Sequence, residues 1–125
     1  MIKDIVEKYE YIMFGFSPTE DSDIVGAFTL IDKGSDAFTL HAVEMQEQER
    51  GKGYGHLMMS DMIAEARKLG AKSIRLDTST NNIPAVKIYE RVGFRDTFGA
   101  KESAKKHGHN MMMSMRLEVT HETGT

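Results

Sequence analysis

The chain changes character at Glu47. Before it, short apolar runs are separated by polar turns; after it, two stretches carry helical spacing. Ile2, Ile5, Val6 and Tyr9 fall at i, i+3, i+4 and i+7, which predicts a short amphipathic helix over Ile2–Tyr9. Tyr11–Phe16 reads as a strand, followed by a polar turn, Ser17–Asp23, and a second strand, Ile24–Ile31. Asp32-Lys33-Gly34-Ser35 is a turn and Ala37–Met45 a third strand. The short connections favour pairing these three into an antiparallel meander.

Gln48-Glu49-Arg50-Gly51-Lys52-Gly53-Tyr54-Gly55 is a glycine-dense loop. His56–Leu69 then places Met58, Met62, Ala66 and Leu69 along one helical face, with Gly70 as the stop. Ser73–Thr78 is a strand. Asn82 is placed to cap a second helix, with Pro84 in its first turn and Gly93 just past its end near Val92. Phe94–Phe98 and Met111–Val119 are candidate strands. The segment between them, with Lys101, Lys105, Lys106, His107 and His109, reads as a polar loop, and the tail after Thr120 is expected to fray. Strand Ala37–Met45, helix and strand Ser73–Thr78 form a unit whose two strands should be parallel neighbours. The expected class is α/β (α+β), a mixed sheet with helices packed on its faces, in one domain over residues 1–125.

Composition narrows the setting. A net charge of −3 argues against a nucleic-acid binder that works through a generally basic surface. The chain has no cysteine, which removes disulfides, a thiol nucleophile and thiolate metal sites, and fits a reducing cytoplasm. Five charges in the first ten residues are unlike a signal peptide. No window reaches the roughly 18–20 apolar residues of a membrane span. A soluble, cytoplasmic, compact protein without a membrane partner is expected. Met111–Met113 suggest the soft packing of a buried strand rather than a metal site.

The glycine loop lies between a strand end and a helix start. Gly51, Gly53 and Gly55 allow unusual backbone angles and remove Cβ atoms that would block a ligand. The first N–H groups of the helix are unpaired, and the helix dipole adds partial positive charge. Arg50 and Lys52 add full charge. Together these suit a phosphate or pyrophosphate cradle; the alternative is a tight turn that needs glycine only for shape. A P-loop is excluded because no Ser or Thr follows Gly-Lys, and the dinucleotide fingerprint fails at Met58.

What remains is R-x-x-G-x-G at Arg50, Gly53 and Gly55. It resembles the acyl-CoA pyrophosphate motif, Q/R-x-x-G-x-G/A, of the GNAT N-acyltransferase superfamily. Asn82-Ile83-Pro84-Ala85-Val86-Lys87-Ile88-Tyr89-Glu90-Arg91-Val92-Gly93-Phe94 is similar to that family's N-x-x-A-x-x-x-Y-E-K/R-x-G-F segment. The two motifs stand in the family's order and spacing, and the resemblance covers roughly Ile12 to Val119. Glu49–Met58 also resembles the histone-acetyltransferase branch, which is no guide to substrate.

The resemblance implies a mixed, mostly antiparallel sheet with flanking helices. It implies an acetyl-CoA-dependent N-acetyltransferase whose primary-amine acceptor attacks the thioester directly in a ternary complex. Members commonly begin with a strand and two helices that wall the acceptor site. Here about ten residues precede the first hairpin strand, so the N-terminal helical part is shortened. The acceptor site should be open, completed by a second subunit, or suited to a large substrate. A homodimer through the Met-rich last strand would follow if that strand is an edge. The acceptor amine is not identified by the sequence. A non-catalytic acyl-CoA-binding or sensing module is the alternative from another class, and a stress or resistance protein acting by binding alone is a third.

The cofactor-binding set implied by the family is Met45, Arg50, Gly51, Lys52, Gly53, Tyr54, Gly55, His56, Asn82 and Tyr89. In it the main chain near Met45 polarises the thioester carbonyl. Tyr89 stands where the family places the acid for the leaving thiolate, and a phenol with pKa near 10 suits a thiol near 8.5; the other reading is a core tyrosine. Asn82 is either a ligand residue or a helix cap, and both roles are compatible. His41, on the third hairpin strand, is a candidate base, because histidine exchanges protons near neutral pH; a structural histidine is the alternative. Glu44 is the second candidate, on the opposite strand face unless a bulge intervenes. Thr39 occupies the histone-acetyltransferase base position and cannot replace a glutamate; a relayed water is a further route. His107 and His109 lack other nearby ligands and read as a solvated loop rather than a metal pair. Its basic character would suit an acidic or phosphate-bearing acceptor, although such charge runs are usually just solvated.

Overall fold

The computed structural model describes residues 1–121. The tail expected to fray lies, from residue 122 on, outside the described residues. A two-residue connection, Tyr9–Glu10, joins strand β1 (Ile2–Lys8) to β2 (Tyr11–Phe16), with Lys8 opposite Tyr11 and Tyr9 at φ 56°. This overturns the helix expected over Ile2–Tyr9. Ile5 and Val6 point to opposite faces of the strand and are each 54% exposed, so the i, i+3, i+4 spacing had no buried helical face behind it. β-Branched Ile2, Ile5 and Val6 favour the extended form instead.

β3 (Gly26–Ile31) and β4 (Ala37–Met45) complete the antiparallel meander. Helix α1 (Tyr54–Lys68) crosses to β5 (Ser73–Ser79), which lies parallel to β4. α2 (Ile83–Val92), the short β6 (Arg95–Asp96), α3 (Ala100–His107) and β7 (Met112–Glu118) follow. The strand order is β1-β2-β3-β4-β5-β7-β6, all neighbours antiparallel except β4 and β5. Among the described residues no helix is long and apolar enough to cross a membrane.

One face of the sheet carries Phe14, Phe28, Leu30, Phe38, Leu40, Ile74, Leu76, Met113 and Met115, all buried. Met58, Met59, Met62 and Ala66 of α1, and Val86 and Tyr89 of α2, join the same core. Phe14 stacks on Phe28 at 4.8 Å between ring centroids. The residues of opposite parity, such as Tyr11, Met13, Arg75, Asp77 and Arg116, remain exposed, so α1 and α2 cover one face rather than both.

Two further expectations change. The segment whose composition suggests a polar loop is α3. It has almost no apolar residue to signal a helix, but Asp96 accepts hydrogen bonds from Ala100 N–H (3.0 Å) and Lys101 N–H (2.9 Å), satisfying two first-turn donors. Gly108 ends it at φ 69°. The Met-rich last strand is β7, which lies between β5 and β6 with Met113 and Met115 fully buried. It is not the apolar edge that suggested a homodimer.

Candidate functional site

β4 and β5 pair only at Ala37–Ser73, Phe38–Ile74 and Thr39–Arg75, although β4 runs on to Met45 and β5 to Ser79. The cause lies in β4. Between Ala27–Glu44 and Thr29–His41, one residue of β3 faces two of β4, and Ala42 takes φ 52°. Such a bulge bends its strand and increases its twist. Gly26 keeps β3 close beneath it, since a Cβ there would lie 2.8 Å from Met58 Sδ and 3.1 Å from Glu44 O. β4 therefore departs from β5 and leaves a gap.

The gap opens into two clefts. One, of about 630 Å³, is lined by Glu44, Met45, Arg50, Gly51, Gly55 and Asn82 among others, with Met58, Met59, Pro84, Ala85 and Ile88 behind them. The other, of about 220 Å³, is lined by Thr39, His41, Ala42, Leu76 and Asp77. Val43 and Tyr89 line both, so the clefts meet at these two residues.

Main-chain polarity at the gap follows from register. Gln46 N–H donates to Val25 O at 2.8 Å. In an antiparallel ladder hydrogen-bonded pairs alternate with unbonded ones, so the next pair, Gly26–Met45, turns its main-chain groups away from β3. Met45 N–H and C=O therefore face the side that β5 has vacated. Arg50 Nε donates to Met45 O at 3.4 Å, tying the loop to the strand end.

The loop after a short 3₁₀ turn (Glu47–Glu49) has the backbone of a cradle. Gly51 and Gly53 stand at φ 82° and 84°, where L side chains are strained, and a Cβ on either would meet no protein atom within 4 Å. Gly53 is the N-cap of α1 and supplies no side chain to it. The first helical hydrogen bond runs from Leu57 N–H to Gly53 O (3.4 Å), so the N–H groups of Tyr54, Gly55 and His56 have no acceptor within the helix. No acidic residue lies in that turn. His56 Nδ1 is also buried without a hydrogen-bond partner among the described residues. Lys52 is held by Glu49 at 3.0 Å, and this hydrogen bond raises its pKa. The bare Cα of Gly55 also serves packing. A Cβ there would come 2.8 Å from Ile88 Cδ1, so its absence lets α1 approach α2. These groups suit a pyrophosphate: free N–H donors, adjacent cations and no side chain in the way.

Of the residues singled out from sequence, Glu44, Met45, Arg50, Gly51, Gly55, Asn82 and Tyr89 line the larger cleft. Lys52, Gly53, Tyr54 and His56 belong to the loop and first helical turn beside it but are not among its lining residues. His41 lines the smaller cleft, on the other side of Val43 from Glu44. Tyr89 is buried and packs edge-on against Phe94 (5.8 Å), and burial pushes its phenol pKa up. No protein group hydrogen-bonds its hydroxyl among the described residues, and the residue borders both clefts. Asn82 occupies the N-cap position of α2 but makes no side-chain capping bond, contrary to expectation. Its ψ of 67° departs from the extended backbone of a capping residue; the helix starts instead through Asn82 O, which accepts from Val86 N–H at 3.0 Å. Val43 and Asp77 carry no signal in the sequence; their place at the gap depends on the bulge and on where pairing with β5 stops. His107 and His109 lie at the end of α3, ring centroids 6.2 Å apart, and among the described residues no group of three or more His, Cys, Asp or Glu could hold a metal.

Comparison with known proteins places this geometry in context. The model of the acetyltransferase (GNAT) family matches residues 4–94. An uncharacterized N-acetyltransferase of Bacillus subtilis (strain 168) is 27% identical over 93 residues, covering 74% of this chain and 60% of that protein. A streptothricin acetyltransferase of Streptomyces lavendulae is 30% identical over 100 residues, covering 76% of this chain and 53% of its own length. The chain thus spans less than two thirds of these curated relatives. Among solved structures, a Bacillus subtilis acetyltransferase in complex with CoA superposes with a TM-score of 0.72 at 20% identity, over 90% of this chain and 79% of the other. An alanine N-acetyltransferase of a ribosomal protein from Escherichia coli gives 0.73 at 18% identity, over 95% and 76%. These two likenesses are likenesses of fold.

Proposed function

Because this chain belongs to the acetyltransferase (GNAT) family, we propose that it moves an acetyl group from acetyl-CoA to a primary amine in a ternary complex. It acts as one domain over residues 1–125, in the cytoplasm. The observation that carries the reading is the pair of clefts that meet at Val43 and Tyr89, one beside the glycine loop and the other lined by His41 and Asp77.

The residues that hold acetyl-CoA in this reading are Met45, Arg50, Gly51, Lys52, Gly53, Tyr54, Gly55, His56, Asn82 and Tyr89. The N–H groups at the start of α1 and the two cations take the pyrophosphate. Met45 N–H, turned to the gap, donates to the thioester oxygen as negative charge develops there. The amine enters from the smaller cleft with its lone pair free; a C–N bond forms and the C–S bond breaks. His41, Glu44 or a water between them takes the amine proton. Tyr89 gives its proton to the departing sulfur, and its raised pKa keeps it protonated at neutral pH. A second copy of the chain, in a homodimer, would use β1, the longer of the two edge strands.

The test is thiol release from acetyl-CoA in the presence of a panel of primary amines, with the acetylated amine identified by mass. One acetylated amine per thiol supports transfer. CoA binding without release across the panel would favour the non-catalytic acyl-CoA-binding module.

A further inference from the structure

We propose that Arg75, Arg95 and Arg116 form an anion-binding row that selects an acceptor amine carrying a phosphate or carboxylate group. This rests on the acetyltransferase reading and deepens it. Arg75 on β5 faces Arg116 on β7, which in turn faces Arg95 on β6. Directly paired residues share a sheet face with Cβ atoms about 4.5–5.5 Å apart, and like charges so placed repel. Three arginines in successive strands, all exposed, therefore break a local rule of sheet stability. Natural proteins break such rules chiefly at functional or strained sites.

The carboxylates of the patch do not quench the row. Arg116 Nε meets Glu118 at 2.7 Å and an Arg75 guanidinium nitrogen meets Asp77 at 3.9 Å, both pairs exposed. Arg95 has no ion-pair partner among the described residues. Three positive charges thus face two negative ones. Guanidinium forks suit the oxygens of phosphate and carboxylate. Arg95 and Arg116 also wall an open groove of about 550 Å³ with Thr97 and Glu118, leaving room for a ligand.

The row's position connects it to transfer. Thr39 faces Arg75 across the last β4–β5 pair. His41 and Asp77 lie two residues further along the same face and line the smaller cleft. Two strand residues span roughly 7 Å. An acceptor with its ammonium end at Asp77 and its anion on the arginines would present nitrogen at the gap where Val43 and Tyr89 stand. Before attack the ammonium must lose its proton, to His41, Glu44 or water.

Two readouts test this, the first of them independent of transfer. Inorganic phosphate is titrated calorimetrically into protein saturated with CoA, so that the cradle is filled. The double variant Arg75→Gln, Arg116→Gln should weaken phosphate binding at least tenfold while leaving CoA affinity and the melting temperature at or above wild type. Equal phosphate affinity in both proteins overturns the row. Acceptor selection is then read from kcat/KM for a six-carbon ω-amino acid, the matching aminoalkyl phosphate and the neutral ω-amino carboxamide. Either charged acceptor should exceed the carboxamide at least tenfold, the better one naming the group, and the advantage should vanish in the double variant. Equal kcat/KM for all three in wild type overturns the acceptor assignment. Absence of CoA binding contradicts the acetyltransferase reading instead, and phosphate titrated into the CoA-free wild type and double variant then decides the row.

Discussion

Gly53→Val separates the cradle from the fold. Gly53 stands at φ 84° as the N-cap of α1, with open space where a Cβ would lie. The cost to the free protein is therefore backbone strain rather than a clash. For an L residue in the left-handed region that strain is roughly 1–2 kcal/mol, and the β-branch adds to it. At about 2.1 cal/mol/K per residue, 125 residues give an unfolding entropy near 0.26 kcal/mol/K. Strain of that size lowers Tm by roughly 4–8 °C, and the protein stays folded at room temperature. The branched side chain would stand beside the free N–H groups of the first turn, where the pyrophosphate is placed. Differential scanning calorimetry reads the first effect and titration with CoA the second. Loss of CoA binding with a Tm drop of this size is the expected result. Unchanged CoA affinity in a folded Gly53→Val protein would refute the cradle.

Tyr89→Phe should preserve acetyl-CoA affinity and lower kcat by roughly 10- to 10³-fold, since only protonation of the leaving sulfur is lost; unchanged kcat with chemistry rate-limiting would reject the acid role. Because burial raises the Tyr89 pKa above 10.0, its contribution to stability is intact below pH 10 and is lost as the pH rises through the folded-state value. Urea unfolding across that window should show a shallower alkaline loss in Tyr89→Phe than in wild type, and parallel losses would contradict the sign. If His41 takes the amine proton, the ascending limb of kcat/KM against pH should vanish in His41→Ala and survive Glu44→Gln; two acceptors of different pKa distinguish that limb from the amine's own ionisation, and a limb that tracks the acceptor identically in wild type and His41→Ala removes His41 from the step. Asp96→Ala should cost about 1 kcal/mol, or roughly 4 °C in Tm, through lost capping of α3; an unchanged melting curve would show that the cap contributes nothing.

The second half of the chain could be read closely because its signals are local. Gly93 at φ 115° ends α2 as its position suggested, Pro84 lies in the first turn, and Gly51 and Gly53 take the left-handed angles that a cradle or turn needs. Local pattern misleads where strand pairing decides. Ile2, Ile5 and Val6 fit a helix by spacing, but the Tyr9–Glu10 turn brings β2 alongside and makes them an edge strand. α3 lacks an apolar stripe; its start depends on Asp96, four residues upstream of the first helical residue. Whether His41 and Glu44 share a face turns on the bulge at Ala42, a tertiary feature set by β3 and Gly26. Val43 and Asp77 gain their position only because β5 stops pairing with β4 after Arg75.

Transfer, rather than binding alone, is the activity proposed for this fold. Its most direct test is a single-turnover reaction of the protein with acetyl-CoA labelled in the acetyl group and a mixed pool of primary amines, analysed by mass. Transfer predicts label on an amine in one-to-one proportion with free CoA thiol, dependent on the protein and reduced in Tyr89→Phe. Bound acetyl-CoA recovered intact, with no labelled amine at any acceptor concentration, would contradict it.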